Sequence, residues 1–243
     1  AQNLTFIYEL RQKSDANKDS MVSGKYYLDV LGKQSVFRSE QARRSDSLKE
    51  KTGFGGLQSV LFSDQIYIQK NLASHNIIKC ITTPLINNNY FIRITDKLIW
   101  KILPDKNENG EYETQKATTR YGGRNWTAWF TSSIPIQEGP YIFHGLPGFI
   151  VKISDDRSEY DFTLVRTKTS DKNSLFYLRK GKEITWEEYK KLQLDYYSDP
   201  YASIKSSGLK SQVADANGNK IELDTRTIST KIQERIRENN NSI

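Results

Sequence analysis

Soft metal ligands are almost missing from this 243-residue chain, which has one cysteine, Cys80, and two histidines, His75 and His144. Zinc usually takes three or four Cys or His ligands, and a disulfide needs a second cysteine. Zinc fingers, iron–sulfur clusters and disulfide scaffolds are therefore excluded on count, and neither a metal nor any other cofactor is expected. Long apolar runs are also absent. Only 36% of residues are hydrophobic, and none of the stretches approaches the ~18 apolar residues of a membrane-crossing helix. Phosphate-loop spacing is missing from Gly53-Phe54-Gly55-Gly56 and from Tyr121-Gly122-Gly123-Arg124. No serine sits in a Gly-x-Ser-x-Gly elbow. Asp105 to Gly110 begins like a calcium loop, but Lys116 stands where the closing Glu belongs, so the segment reads as a hairpin turn.

The length suffices for a sizeable core, and no composition break, repeat or low-complexity tract marks a second domain. One domain over residues 1–243 is expected, closed by a C-terminal helix and tail over 224–243. Thirty-six Lys and Arg against 29 Asp and Glu give a net charge of +7. The cations are interleaved with acids, which reads as solvated surface; nucleic acid is not an expected partner. A polyanion binder remains the alternative, and it predicts that Arg43, Arg44, Arg120, Arg124 and Arg179 share one face. The start Ala1-Gln2-Asn3 resembles a mature end left by signal peptidase.

Strand periodicity dominates. Leu4, Phe6, Tyr8 and Leu10 alternate with polar residues, as do Tyr26, Leu28 and Val30. Ser39 to Lys51 is polar, with only Leu48 to bury, and reads as a loop or solvated helix; Gly53 to Gly56 then precedes a more apolar stretch over Leu57 to Phe62. Short β-branched and aromatic runs follow: Ile66-Tyr67-Ile68, Ile77-Ile78, Tyr90 to Ile94, and Leu98 to Leu103. Asn87 to Asn89 and Pro104 to Gly110 separate them as turns. Tyr112–Thr119 and Arg124–Thr131 form a hairpin around Gly122-Gly123. After the Pro/Gly stretch Ile134 to Gly148, strands resume at Phe149–Ile153 and Tyr160–Leu164. Thr185-Trp186-Glu187-Glu188 is a capping box opening a helix, and Ile228, Ile232 and Ile236 place a second helix over about 227–238. Between them, Asp215 to Lys220 is a turn joining short strands at Val213 and Ile221–Leu223. The fold expected is mainly β (α+β), a single curved antiparallel sheet or half-barrel meander with two C-terminal helices packed on or beside it.

The chemistry-bearing candidates each have a structural explanation. His144 precedes a Gly-Leu-Pro-Gly turn, where it caps backbone groups. Asp155-Asp156 lies in a turn, Glu187-Glu188 at a helix N-terminus, and Glu111 with Glu113 on one face of a strand beside Lys116. The remaining signal is an aromatic block. Trp126, Trp129, Phe130, Tyr141 and Phe143 crowd together near Lys116, Arg120 and Arg124, and such residues build either a sheet core or a binding platform. Trp126 and Trp129 are an odd number apart and so point to opposite faces of a strand.

The same block resembles the GLPGLI family of exported Bacteroidota proteins. The resemblance is carried by Lys116-Ala117, Gly122-Gly123-Arg124-Asn125-Trp126, Ala128-Trp129-Phe130-Thr131, Gly139-Pro140-Tyr141 and Gly145-Leu146-Pro147-Gly148-Phe149-Ile150, with Phe149 where the family name has Leu. It is specific over about Leu98 to Phe162. It implies a removed signal peptide, a periplasmic, outer-membrane-associated or secreted location, and a β-rich fold. The family has no assigned activity, so the resemblance transfers no catalytic residue.

Three functions are carried forward. The first is a non-enzymatic envelope protein that presents a sheet surface and the Pro/Gly loop to an outer-membrane or periplasmic protein partner, or to a peptide or lipid. Its candidate contacts are Lys116, Arg120, Arg124, Trp126, Trp129, Phe130, Tyr141, Phe143, His144, Leu146 and Pro147. The second is a hydrolase of envelope peptide or glycan, starting from His144 with Asp155 or Asp156. The third is the polyanion binder.

Overall fold

The computed structural model describes residues 3–55, 62, 65–84, 88–170, 177–202, 212–214, 220–222 and 225–237. Two meanders meet at the first strand. β1 (Asn3–Gln12), β2 (Val22–Leu31), β3 (Gln34–Ser39), β4 (Tyr67–Asn71), β5 (Asn76–Thr82) and β6 (Asn89–Arg93) step outward from β1 to one side. β7 (Lys101–Asn109), β8 (Tyr112–Tyr121), β9 (Arg124–Thr131), β10 (Phe149–Asp155) and β11 (Tyr160–Ser170) then return from the far edge until β11 pairs with β1. β12 (Lys182–Glu183) adds to β6, completing one open twelve-stranded sheet in the order β12-β6-β5-β4-β3-β2-β1-β11-β10-β9-β8-β7. The mainly-β expectation holds. The sheet is mixed rather than wholly antiparallel, because β12 runs parallel to β6.

Pairing registers assign the faces. Phe6, Leu28, Phe37 and Ile68 lie opposite one another across β1 to β4, and Leu10, Phe162, Ile153, Ala128 and Ala117 do so across β1 and β11 to β8. All belong to one buried cluster. The rings of Phe37 and Phe162 come within 6.0 Å, although β3 and β11 are three strand spacings apart, about 14 Å in a flat sheet. The sheet therefore curls around this face, which we term concave. Gly122 and Gly123, at φ +57° and +73°, supply the two left-handed positions of a tight hairpin turn between β8 and β9.

One sequence expectation is overturned and another is narrowed to its helical alternative. Pro104 to Gly110 is mostly strand, not turn: β7 runs to Asn109, and a register shift between Ile102 and Lys106 against β8 accommodates Pro104, which has no N–H for the ladder. Ser39–Lys51 is a helix, α1 (Glu40–Thr52), capped by Ser39. Its buried residue is Asp46, whereas Leu48 is 43% exposed. Polar bonds dock this helix on the convex face. Asp29 of β2 accepts from Thr5 Oγ1 at 2.6 Å, Arg38 Nη2 at 2.8 Å and Arg43 Nε at 2.9 Å. Asp46 accepts from the Tyr67 hydroxyl at 2.6 Å and from Arg179 Nε at 2.8 Å. A hydrophobic pattern has no power to announce a helix held in this way.

The capping box is present: the Thr185 side chain and Glu188 bond each other's backbone amides at the start of α2 (Trp186–Ser198). Tyr189 packs with Phe62, Ile81 and Ile92, so α2 covers the β5–β6 end of the concave face. α3 (Thr225–Arg237) bears on the end of α2, where Gln233 Nε2 donates to the Tyr197 carbonyl at 3.0 Å. β13 (Gln212–Ala214) and β14 (Lys220–Glu222) pair with each other. The turn expected between them, the apolar stretch expected over 57–61, Asn87 and Leu223, and the tail over 238–243 lie outside the described residues.

Candidate functional site

The Pro/Gly segment 134–148 lies in the concave face, where it is packed rather than presented. Phe143, Leu146 and Phe149 are fully buried, Tyr141 and Ile142 nearly so. The Phe143 ring lies 4.7 Å from Trp126 and 6.0 Å from Tyr141. Glycines permit this packing: a Cβ on Gly148 would fall 2.2 Å from the Thr131 carbonyl oxygen, and one on Gly139 would fall 2.8 Å from Ile150 Cδ1. One buried ion pair pins the segment to the sheet. Lys70 Nζ of β4 is 2.5 Å from Glu138 Oε2 and donates to the Gly139 carbonyl at 2.8 Å, while Ser35 Oγ donates to Glu138 Oε1 at 2.7 Å. The Glu138 carbonyl accepts from the Ile150 amide at 3.0 Å, and the Tyr8 hydroxyl donates to the Ile150 carbonyl. Lys79 of β5 is also buried, 5.9 Å from the Tyr141 ring centroid, and burial lowers its pKa to about 8.

His144 turns its Nδ1 to its own segment, 2.8 Å from the Ile142 carbonyl, while its carbonyl accepts from Trp100 Nε1 at 2.8 Å. Burial, and next the charge of Lys70, lower its pKa. The acids once paired with it are engaged elsewhere. Asp155 binds Arg124 Nη1 at 2.5 Å and the amides of Glu159 and Tyr160, both at 2.8 Å. Asp156 accepts from Asn125 Nδ2 at 2.7 Å. A base needs hydrogen-bond reach to an orienting acid, and His144 Nδ1 faces a backbone carbonyl instead of Asp155 or Asp156.

Of the aromatic block, Trp126 and Phe130 are buried on the concave face with Tyr141, Phe143 and Leu146. Arg124 is likewise buried, its guanidinium held by Asp155 and Glu159. Trp129 points the other way, as the odd spacing requires. It is partly exposed on the convex face, with Lys116 directly opposite on β8 and Lys152 directly opposite on β10. The Lys116 ammonium lies 6.0 Å from the indole centroid, and Lys152 is 3.4 Å from Asp161. The row continues through Thr163 of β11 to Glu9 of β1 and Lys25 of β2. Arg120 and Pro147 are exposed away from this row. Sequence reasoning missed Lys152; strand alternation marked its face, but only the β9–β10 register brings it to Trp129.

Four of the five arginines of the polyanion reading are paired with acids, and Arg120 is exposed. Arg43 bonds Asp29, Arg44 bonds Glu40 at 3.0 Å, Arg124 bonds Asp155 and Glu159, and Arg179 bonds Asp46.

A family model described as a protein of unknown function (Porph_ging) matches residues 69–152. That span runs from within β4 to within β10 and includes the buried Pro/Gly segment. No curated protein matches the chain. Among solved structures, PNGF-II in a C2 space group is similar at a TM-score of 0.58 and 14% identity, with 80% of this chain and 33% of that one covered. PNGF-II in a P21 space group is similar at 0.57 and 15%, with 80% and 34% covered. The chain thus spans about a third of the length of these structures, and at such identity the likeness shows the fold alone.

Proposed function

We propose that this chain is a non-enzymatic binding protein of the bacterial envelope, a single GLPGLI-type domain that engages a protein partner through the convex face of β8 to β10. The observation that carries the proposal is the row Lys116–Trp129–Lys152, a half-buried indole that borders the core cluster and is flanked by two cations on the convex face. Rigid aromatic side chains beside cations are the composition of interface anchors. The Pro/Gly segment contributes from inside, by filling the concave face and fixing the strands that carry the row. Export and an envelope location rest on the resemblance of residues 98–162 to exported proteins. A lipid or peptide within the concavity is the weaker version, because Tyr141, Phe143 and Leu146 occupy that face.

The test is affinity capture from intact Bacteroidota envelopes with mass spectrometry, comparing the native chain with Trp129→Ala and with Lys116→Glu/Lys152→Glu. An outer-membrane or periplasmic protein captured by the native chain and lost from both variants supports the reading. The same capture by all three overturns it.

A further inference from the structure

Within the sheet, the ladder between β10 and β11 is abortive. It runs through three pairs, Lys152↔Thr163, Ile153↔Phe162 and Ser154↔Asp161, after which the strands part. Both strands carry a bulge at the fork: Val151 is extra against β9, and Val165 is extra against β1. Bulges bend and twist a strand away from its neighbour. Beyond the fork β10 turns inward, and its Ile150 amide and carbonyl bond Glu138 and Tyr8. β11 continues to Ser170 on β1 alone, so an edge of about 20 Å lies open beside the gap. Residues 165–169 are exposed throughout.

The gap is a groove of about 440 Å³ lined by Val151 and Lys152 of β10, by residues 163–167 of β11 and by Asn109 to Tyr112 at the β7–β8 hairpin tip. Among the described residues, Arg166 and Lys168 have no carboxylate partner, and Glu111 is the only acid lining the groove. The outer edge strand β7 is protected by contrast, since Pro104 and its register shift interrupt the row of donors.

We propose that the open edge of β11 binds an extended, acidic polypeptide segment by strand addition. Backbone hydrogen bonds would supply the pairing, alternate side chains would enter the groove over Val151 and Val165, and the outward acids would meet Arg166, Lys168 and Lys152. This site shares Lys152 with the Trp129 row but uses neither Trp129 nor Lys116, so Trp129→Ala tests the two independently.

The probe is a labelled heptapeptide of alternating Glu and Val, titrated by fluorescence anisotropy and followed by amide hydrogen exchange. The expected result is saturable binding that protects the amides of residues 165–169, with an N-methylated peptide of the same sequence silent. Arg166→Glu/Lys168→Glu weakens binding about ten-fold or more, the scale of losing two exposed charge contacts and gaining two repulsions, and reverses the preference toward a Lys/Val peptide. Trp129→Ala binds as the native chain does. Protection at another strand, equal binding of the N-methylated peptide, or no protection of 165–169 at millimolar peptide overturns the proposal.

Discussion

Lys70 and Glu138 form an ion pair at 2.5 Å with 0% and 2% of their side chains exposed, and this pair ties the Pro/Gly segment to β4. Removing one member of a buried pair strands the other charge and costs about 3–5 kcal/mol, whereas replacing both is often close to neutral. Glu138→Gln is therefore expected to cost about that amount in urea unfolding, and Lys70→Met/Glu138→Gln is expected to recover most of it. Equal losses in the single and double variants would mean that the segment is held by its aromatic packing alone.

Lys79 works against the fold at neutral pH. Burial lowers its pKa from 10.5 to about 8, so as pH falls the unfolded chain takes up the proton first. The cost is absent above pH 10.5 and complete below pH 8. Contact with the Tyr141 ring offsets part of it. Lys79→Met should stabilise the protein by about 1–3 kcal/mol at pH 7, and the gain should vanish at pH 11. A variant less stable than the native chain at pH 7 would mean that the ammonium is needed where it sits.

The two glycines of the Gly145-Leu146-Pro147-Gly148 turn differ in what they tolerate. Gly148 has the Thr131 carbonyl where a Cβ would go, whereas Gly145 at φ +88° has nothing within 4 Å. Gly148→Ala must displace backbone and is expected to cost more than ~3 kcal/mol. Gly145→Ala bears only the left-handed strain of about 1–2 kcal/mol. Thermal denaturation of the two variants separates them; similar losses would refute the steric assignment.

Trp129 and Phe143 separate binding from packing. Phe143 is fully buried against Trp126 and Tyr141, so Phe143→Ala should cost about 3–5 kcal/mol. Trp129→Ala should cost less than half of that, while removing partner capture. A large stability loss in Trp129→Ala would place the indole in the core instead.

Much of the sheet was legible because its signals are local. Alternation located the strands, Gly122-Gly123 located a hairpin, and Thr185 with Glu188 located α2. What escaped depends on contacts distant in sequence. The choice between loop and helix over Ser39–Lys51 stayed open because α1 is held by Asp29 and Arg179, neither of which a helical hydrophobic pattern includes. The inward packing of residues 134–148 rests on Lys70 and Ser35, at least 60 residues upstream. The Pro104 segment read as a turn because a bulge inside a strand and a loop share one composition. The opposite faces of Trp126 and Trp129 followed from parity, but the neighbours of Trp129 followed only from registers.

The strand order also constrains how the chain reaches this state. β1 sits in the middle of the sheet, flanked by β2 and by β11, whose residues come some 160 positions later. As the polypeptide emerges in order, β1 to β6 can assemble early. One backbone edge of β1 must then wait for residues 160–170 before it is paired, and Phe6, Tyr8 and Leu10 wait with it for part of their packing. Such long-range closure is slow, and the waiting edge is a template for pairing with another chain. Fragments ending before Tyr160 should therefore self-associate more strongly than the 243-residue chain.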